Sequence, residues 1–442
     1  MRSFDIAIID TSIKKTKKNS LYIIIKKMIS YLQSQNILKK TKINIKDEII
    51  YSENSLNRVL SSNVFSKNNN PAGNNSAVDG FAIHSKDTLY LKKTKPQKFK
   101  ICGSIIAGTK PFVKKIKKFN TVEIMTGGIL AKGLDAVIPV EQIVFYPSKE
   151  NAEYIMINKK ISKNQNIRLL GSDYKKNDLI IKKGTIIQPN HILALKALGI
   201  NKIKVKKKPN ILFFSTGNEI TNNQKVAIWK VRNANSPYIR SLNSNFLFNF
   251  INGGILRDNH ELIFKNQVRK MIKSKIDIII TSGAVSAGKF DFIPSVIKTF
   301  KLSSYFKNVD IKPGKPILFA KIKSKQKVLF GLPGNPLSTA ACYRFFVHPY
   351  ILNILGVQKE KPIKVILKNN LTKNKNMTQF IKAKLNSINN GKLELKVLQG
   401  QESFRIKSFV HSNIWGVFPA GKSYFKKGDM INCFFPNQTN AI

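Results

Sequence analysis

Four glycine-rich stretches from Ser215 onward in this 442-residue chain carry the residue types that bind anions. They are Ser215-Thr216-Gly217-Asn218-Glu219, Thr281-Ser282-Gly283-Ala284-Val285-Ser286-Ala287-Gly288-Lys289-Phe290-Asp291, Lys312-Pro313-Gly314-Lys315-Pro316 and Gly331-Leu332-Pro333-Gly334-Asn335-Pro336. Glycine lets backbone approach a ligand, and the first N–H groups of a following helix offer it the positive end of a dipole. Hydroxyls add donors, and Lys312 and Lys315 set two charges around a Pro-Gly turn. Glu219 and Asp291 close two of the stretches, and Asp258 ends Gly253-Gly254-Ile255-Leu256-Arg257-Asp258 between them. Carboxylates converging on one crevice repel unless a cation or a protonated oxygen lies between them. Together the loops and lysines suggest the handling of a phosphate-bearing ligand. Singly, each stretch reads equally well as turn punctuation, and Asp258 could cap a helix beginning near Glu261.

Apolar runs precede the turns. Residues 211–214, 276–280 and 328–330 are β-branched and aromatic, long enough for buried strands and too short for buried helices, while 337–347 reads as a helix. Strand, turn and helix in repetition predict an α/β unit with a mostly parallel sheet, whose turns lie at the carboxyl edge and face one crevice. Neither the lysine-containing nucleotide loop nor the dinucleotide fingerprint is present, so neither common nucleotide mechanism is supported.

Length predicts about three domains, and 42% hydrophobic residues predict a folded chain. The net charge of +52 points at first to nucleic acid, yet only nine of the 76 basic residues are arginine, and the lysines are spread over every segment. Arginine is the preferred reader of phosphates and bases, so a dedicated nucleic-acid surface should concentrate it. Cys102, Cys342 and Cys433 stand alone, without metal or redox spacing, which predicts a reduced cytoplasmic protein. The first residues carry acids where a secretory signal needs an apolar core, and no run approaches the ~18 apolar residues of a membrane span.

Residues from about Ile13 to Leu60 read as two helical stretches, followed by an Asn-rich break at 67–71. From Phe99 to Ile157 short alternating runs predict a small β domain, and after Pro362 the same pattern predicts a β barrel or sandwich. A helix over 192–198 could be capped by Asn190 and closed by Gly199. Asp79, in Asn74-Asn75-Ser76-Ala77-Val78-Asp79-Gly80-Phe81-Ala82, and Thr126, in Ile124-Met125-Thr126-Gly127-Gly128, are candidate polar groups that a plain turn would explain equally.

The ordered set of loops, with Asp79, Thr126, the run 135–141 and Arg168-Leu169-Leu170-Gly171-Ser172-Asp173, resembles the MoeA and gephyrin E-domain family, the molybdopterin molybdenumtransferases. The resemblance implies a multidomain α/β plus β chain: a three-layer α/β molybdopterin-binding domain at 206–358, a small β domain at 67–165, a C-terminal barrel at 359–442, and an elongated domain joining 1–66 to 166–205. It implies molybdate insertion into adenylylated molybdopterin with release of AMP, in a cytoplasmic homodimer whose site the second domain of the other subunit completes. Molybdopterin adenylyltransferase and apo-molybdoenzymes are the implied partners, with no membrane and no specific nucleic acid. Asp79, Thr126, Glu219, Asp258 and Asp291 are the implied catalytic set, with Mg2+ or another divalent ion on Glu219 and Asp291. Implied substrate contacts are Asp173, Ser215, Thr216, Gly217, Ser282, Gly283, Ser286, Gly288, Lys312, Gly314, Lys315, Pro333, Gly334, Asn335 and Ser338.

The chain departs from the pattern at Asn218, at Asn233-Ala234-Asn235, and at Ala284, Ala287 and Lys289. Asparagine for aspartate keeps hydrogen-bonding shape and removes charge. A non-catalytic molybdopterin-binding scaffold would keep the phosphate loops and lose the carboxylates, and Glu219 and Asp291 count against it. A nucleic-acid-binding protein would explain the charge but not the ordered loops.

Overall fold

The computed structural model describes residues 28–92, 94–245, 247–283, 299–300, 303–322, 326–387 and 391–436. The chain divides into two compact units: one joins the described residues up to Ile45 to Lys208–Ile354 and to the chain from Lys359 onward, and the other comprises Lys46–Lys207 and Leu355–Gln358.

In the first unit a six-stranded sheet runs in the order Asn249–Leu256, Asn210–Thr216, Ile278–Ser282, Lys327–Leu332, Leu318–Ile322, Ser303–Lys307. The first four strands pair in parallel, and Leu318–Ile322 pairs antiparallel with both of its neighbours. Both faces are covered, which is why the apolar runs 211–214 and 278–280 are continuous instead of alternating. Leu212, Phe214 and Ile279 pack on one face against Phe264, Val268 and Met271 of the helix Glu261–Lys273. On the other side Phe319, Phe330 and Tyr350 form an edge-packed cluster with centroids 4.7–5.4 Å apart. The predicted strand 276–280 starts two residues later because Asp277 leaves the ladder: its carboxylate accepts from Asn210 N–H at 2.8 Å, and burial pushes its pKa up.

The helix expected at 337–347 runs as Pro336–Cys342, widens into a π turn at Tyr343–Val347, and continues as His348–Leu355. The π turn holds Arg344, whose guanidinium donates to both carboxylate oxygens of Glu360 (2.6 and 2.7 Å) and to the Phe435 carbonyl (2.6 Å). The two side chains are 3% and 13% exposed. Burial first, and then the Arg344 charge, drives His348 down to about 3, so this histidine stays neutral.

Five strands, Thr378–Ser387, Leu393–Val397, Ile363–Leu367, Met430–Phe434 and Ile414–Phe418, close back on the first to make the expected barrel. A sixth, Ile311–Lys312, adds parallel to Thr378–Gln379. The helix Tyr31–Lys40, opened by a Ser30/Gln33 capping box, lays Tyr31 against Phe346 and Phe380 (5.6 and 5.2 Å). It therefore sits with this unit, whereas the sequence grouping had placed 1–66 with 166–205.

In the second unit a mixed sheet runs Ala136–Pro139, Gly80–Ile83, Asn120–Ile124, Gln97–Ile105, Tyr154–Ile157, Val144–Tyr146. The second helix expected before Leu60 is absent among the described residues: Asp47–Tyr51 is a strand paired antiparallel with Lys202–Lys206. The alternating Ile203 and Val205 bury with Leu60, Val64, Ile181 and Leu195, and that period-two surface overrides the helical spacing. The helix Pro189–Ala197 is capped by Gln188 and His191 rather than Asn190, which lies inside its first turn, and Gly199 ends it at φ +70°.

Replacing Arg344 by methionine keeps the stem and strands the Glu360 carboxylate, so the first unit should lose about 3–5 kcal/mol of stability. Denaturant unfolding read from tryptophan fluorescence checks this, since Trp415 is buried 6.1 Å from Phe345. Unchanged unfolding would show that the pair carries no weight.

Candidate functional site

Parallel pairing aligns Ser215 with Ser282 and Ser282 with Leu332, so the turns after three adjacent strands leave the same edge of the sheet. Side chains then tie the turns together. Thr216 Oγ1 donates to the Ser282 carbonyl (3.0 Å), and Asn235 Nδ2 donates to Ser282 Oγ (3.1 Å) and to the Gly334 carbonyl (2.8 Å). Ser215 Oγ donates to Asn233 Oδ1 at 2.8 Å. Ser215, Thr216, Asn235 and Ser282 are buried, so these bonds form away from competing water.

Two glycines are required by geometry. Gly283 lies at φ +102°, and a methyl there would stand 2.4 Å from Thr216 Oγ1 and 2.9 Å from the Thr216 carbonyl. Gly217 lies at φ +133°, and its methyl would meet both carboxylate oxygens of Glu219 at 2.5 Å. The Glu219 side chain thus folds back over the bare Gly217 backbone.

Arg257, which sequence reasoning missed as a site residue, holds that turn. Its Nη1 lies 3.1, 2.9 and 2.7 Å from the carbonyls of Gly217, Asn218 and Ile220, and Lys230 Nζ reaches the Asn218 carbonyl at 2.6 Å. The Asn218 side chain accepts from Asp258 N–H at 3.1 Å, which sets Asp258 beside the same turn. The helix beyond starts at Glu261 with His260 as its cap residue and no side-chain cap bond, so Asp258 is not spent on capping. Neither the Glu219 nor the Asp258 carboxylate has a hydrogen-bond or ion-pair partner among the described residues. The only sequence signal for Arg257 was its place next to Asp258, one of nine arginines in a lysine-dominated chain.

Asn335 Oδ1 accepts from Leu337 N–H (3.2 Å) and caps the helix after the last loop, while the Pro333 carbonyl takes the Thr339 hydroxyl at 2.5 Å. Gly314, at φ +103°, packs so closely on that helix that a methyl would stand 2.4 Å from Cys342 Sγ and 3.5 Å from the Ser338 carbonyl. Lys312 and Lys315, on either side of it, are exposed and bond to no described residue through their ammonium groups. Ser286, Gly288 and Asp291 lie outside the described residues. Among the described residues no three His, Cys, Asp or Glu side chains gather where they could hold one metal ion.

Asp79, Thr126 and Asp173 belong to the second unit. Asp79 Oδ1 accepts from Thr126 N–H (2.6 Å) and Thr126 Oγ1 (2.8 Å). Asp173 Oδ2 accepts from Asn70 Nδ2 at 2.9 Å, which ties the loop around Gly171 to the Asn-rich break. The Thr126 backbone N–H, and then its hydroxyl, hold the Asp79 carboxyl below its ordinary value of 3.8. Both bonds favour the carboxylate, so their contribution is complete above that value and is lost as pH falls through the lower folded one. Thr126→Val removes the hydroxyl alone, and the Asp79 titration followed by carboxyl-carbon NMR should move up toward the ordinary value without reaching it. An unmoved titration would show that the hydroxyl bond is absent in solution.

The chain matches three family models in order: the MoeA N-terminal region (domain I and II) over 28–199, a probable molybdopterin binding domain over 213–353, and the MoeA C-terminal region (domain IV) over 364–433. It is 32% identical over 385 residues to a molybdopterin molybdenumtransferase of Staphylococcus aureus, covering 86% of this chain and 89% of that protein. A molybdopterin molybdenumtransferase of Staphylococcus epidermidis is 29% identical over 410 residues, covering 91% and 94%. The crystal structure of the molybdopterin biosynthesis MoeA protein from Pyrococcus horikoshii superposes with a TM-score of 0.77 at 25% identity, covering 92% of this chain and all of that one. With loops, barrel and family models in agreement along the chain, this protein belongs to the MoeA family of molybdopterin molybdenumtransferases.

Proposed function

We propose that this chain inserts molybdate into adenylylated molybdopterin and releases AMP, acting in the cytoplasm as a homodimer of its 50.0 kDa chain. The observation that carries the catalytic reading, rather than mere binding, is the pair of carboxylates, Glu219 and Asp258, that form no ion pair among the described residues at a turn tied down by Arg257. In a chain of net charge +52, acids left so beside a phosphate-type loop are placed for something other than fold stability. Exposed carboxylate oxygens are the donors that a hard divalent ion such as Mg2+ prefers, so the residues present fit one. Glu219, with Asp291, would hold it, and the ion would supply positive charge against the phosphate oxygens. The chain itself binds and orients. Lys312 and Lys315 hold phosphate oxygens, the bare backbone at Gly283 and Gly334 lets the ligand approach, and the partner subunit's Asp79 and Thr126 orient the reacting groups. Molybdopterin adenylyltransferase would supply the substrate, and apo-molybdoenzymes would take the product. No helix among the described residues is long and apolar enough to cross a membrane.

The test is whether the purified protein, given adenylylated molybdopterin and molybdate, yields cofactor that activates an apo-molybdoenzyme. Glu219→Gln should slow this by about a hundredfold or more while ligand affinity stays within tenfold. A well-folded variant with the wild-type rate would sink the catalytic role. Changing Lys312 and Lys315 to methionine should cost about 1.5–3 kcal/mol of affinity per charged contact, read by calorimetry. The same change at Lys206 and Lys207 serves as control, and equal losses in both would show that the turn is only part of the general positive field.

A further inference from the structure

The seven-residue helix Asn235–Ser241 has one end in the crevice and its middle on the barrel. At its first residue the buried Asn235 amide donates to Ser282 Oγ at 3.1 Å and to the Gly334 carbonyl at 2.8 Å, so two of the loops share one side chain. One turn on, about 4.5 Å along the axis and on the same face, Tyr238 meets Phe409 of the barrel edge to face, with 6.0 Å between centroids at 66°.

Nothing within the helix fixes where it lies. So short a helix does not hold its own in water. Its cap residue, Ala234, makes no side-chain bond, and Asn233 Oδ1, already taken by the Ser215 hydroxyl, meets the Ser236 N–H only at 3.5 Å. Tertiary contacts must therefore place it: Ile239 is fully buried, and Tyr238 stands against the barrel.

The barrel side of that contact is firmly held. Phe409 lies on the helix Ile406–Val410 and packs on the buried Trp415 at 5.6 Å, which in turn meets Phe345 at 6.1 Å. Its neighbour Ser408 donates through Oγ to the Gly400 carbonyl at 2.6 Å and the Arg405 carbonyl at 3.0 Å. The ammonium of the buried Lys382 donates to the carbonyls of Gly400, Glu402 and Arg405 at 2.8, 3.3 and 3.2 Å. A hydroxyl and an ammonium thus close the chain before this helix into a fixed turn, and the Phe409 ring is a fixed stop.

We infer that Tyr238 and Phe409 are positioning residues for the reaction: the barrel's ring stops the helix where Asn235 spans the Ser282 and Gly334 turns, and so sets the spacing of two loops that receive the ligand. Both act through Asn235 rather than on the ligand. Gly283 N–H, bonded to the Leu332 carbonyl at 2.8 Å, reports that spacing, and its exchange in the full chain, followed by NMR, tests the inference without any ligand. Phe409→Ala should speed exchange at Gly283 by about tenfold or more and leave the barrel amides of Ile414–Phe418 as they were. Tyr238→Ala should do the same, whereas Tyr238→Phe, which keeps the ring, should leave Gly283 unchanged. Phe409→Leu keeps bulk and loses the ring, so it should give a smaller change of the same kind, and it decides the question if the alanine variant does not fold. Asn235→Ala should speed Gly283 too, and adding Phe409→Ala to it should add nothing, because the path runs through that amide. Unchanged exchange at Gly283 in folded Phe409 variants, barrel amides that loosen as much as Gly283 does, or additive effects in the double variant would each overturn the inference. Turnover is read separately and rests on the proposed insertion reaction: in Phe409→Ala kcat should fall about tenfold with KM within about threefold, since the loops are displaced and not removed. A wild-type kcat with fast exchange at Gly283 would overturn the link to the reaction. A chain whose Gly283 answers to Phe409 yet inserts no molybdenum upholds the contact and refutes the reaction, and a chain that inserts molybdenum with Gly283 indifferent to Phe409 does the reverse.

Discussion

Everything at the site depends on one constraint, the in-register parallel pairing of Asn210–Thr216, Ile278–Ser282 and Lys327–Leu332. A strand buried on both faces has no water for its backbone, so its N–H and C=O groups must find neighbouring strands. Once they do, each chain must turn at the same edge, and the turns become neighbours without any ligand to gather them. The short bonds from Thr216 and Asn235 then lock what the ladder has aligned. Gly283 is where two of the chains come too close for any side chain. The anion-type loops are therefore a consequence of sheet pairing, and a loop substitution acts on its neighbours as well as on its own turn.

Electrostatics adds a second layer. Exposed lysines on every segment give a diffuse positive field that draws anions of any kind and is screened within about 10 Å at ordinary salt. Such a field accelerates encounter and cannot discriminate. Discrimination requires groups held in place, as Arg257 is within the first turn. Among the described residues the Glu219 and Asp258 carboxylates beside that turn form no ion pair, which leaves local negative charge in a lysine-rich chain.

Much of this was legible in the sequence because it follows from short-range pattern. Continuous β-branched runs ending in Gly-rich turns located the parallel strands, and alternating runs after Pro362 located the barrel. What pattern could not show was the use made of polar side chains. Asn335 also serves as a helix cap, Asn233 stands where the family pattern has an acid and takes the Ser215 hydroxyl, Asn235 cross-links two loops, and Arg257 hides among basic residues. The π turn at Tyr343–Val347 has no signature in helical spacing, because it arises where Arg344 must reach Glu360. The partner of the N-terminal helix was not legible in spacing, because spacing says that a face is buried and never against what. Tyr31 against Phe346 and Phe380 decides it.

The short strand Ile311–Lys312 belongs to two structures at once, since it pairs with Thr378–Gln379 of the barrel while the turn that follows it rests on the helix after the last loop. A chain shortened at the obvious boundary near Pro362 would bare this strand's backbone and remove both the Phe435 carbonyl that takes Arg344 and the fixed end of the Lys312 turn. The barrel is thus no detachable appendage. The α/β part inherited it as a brace, and an insertion, fusion or exchange of C-terminal pieces between relatives would succeed only where the crossing strand is carried along.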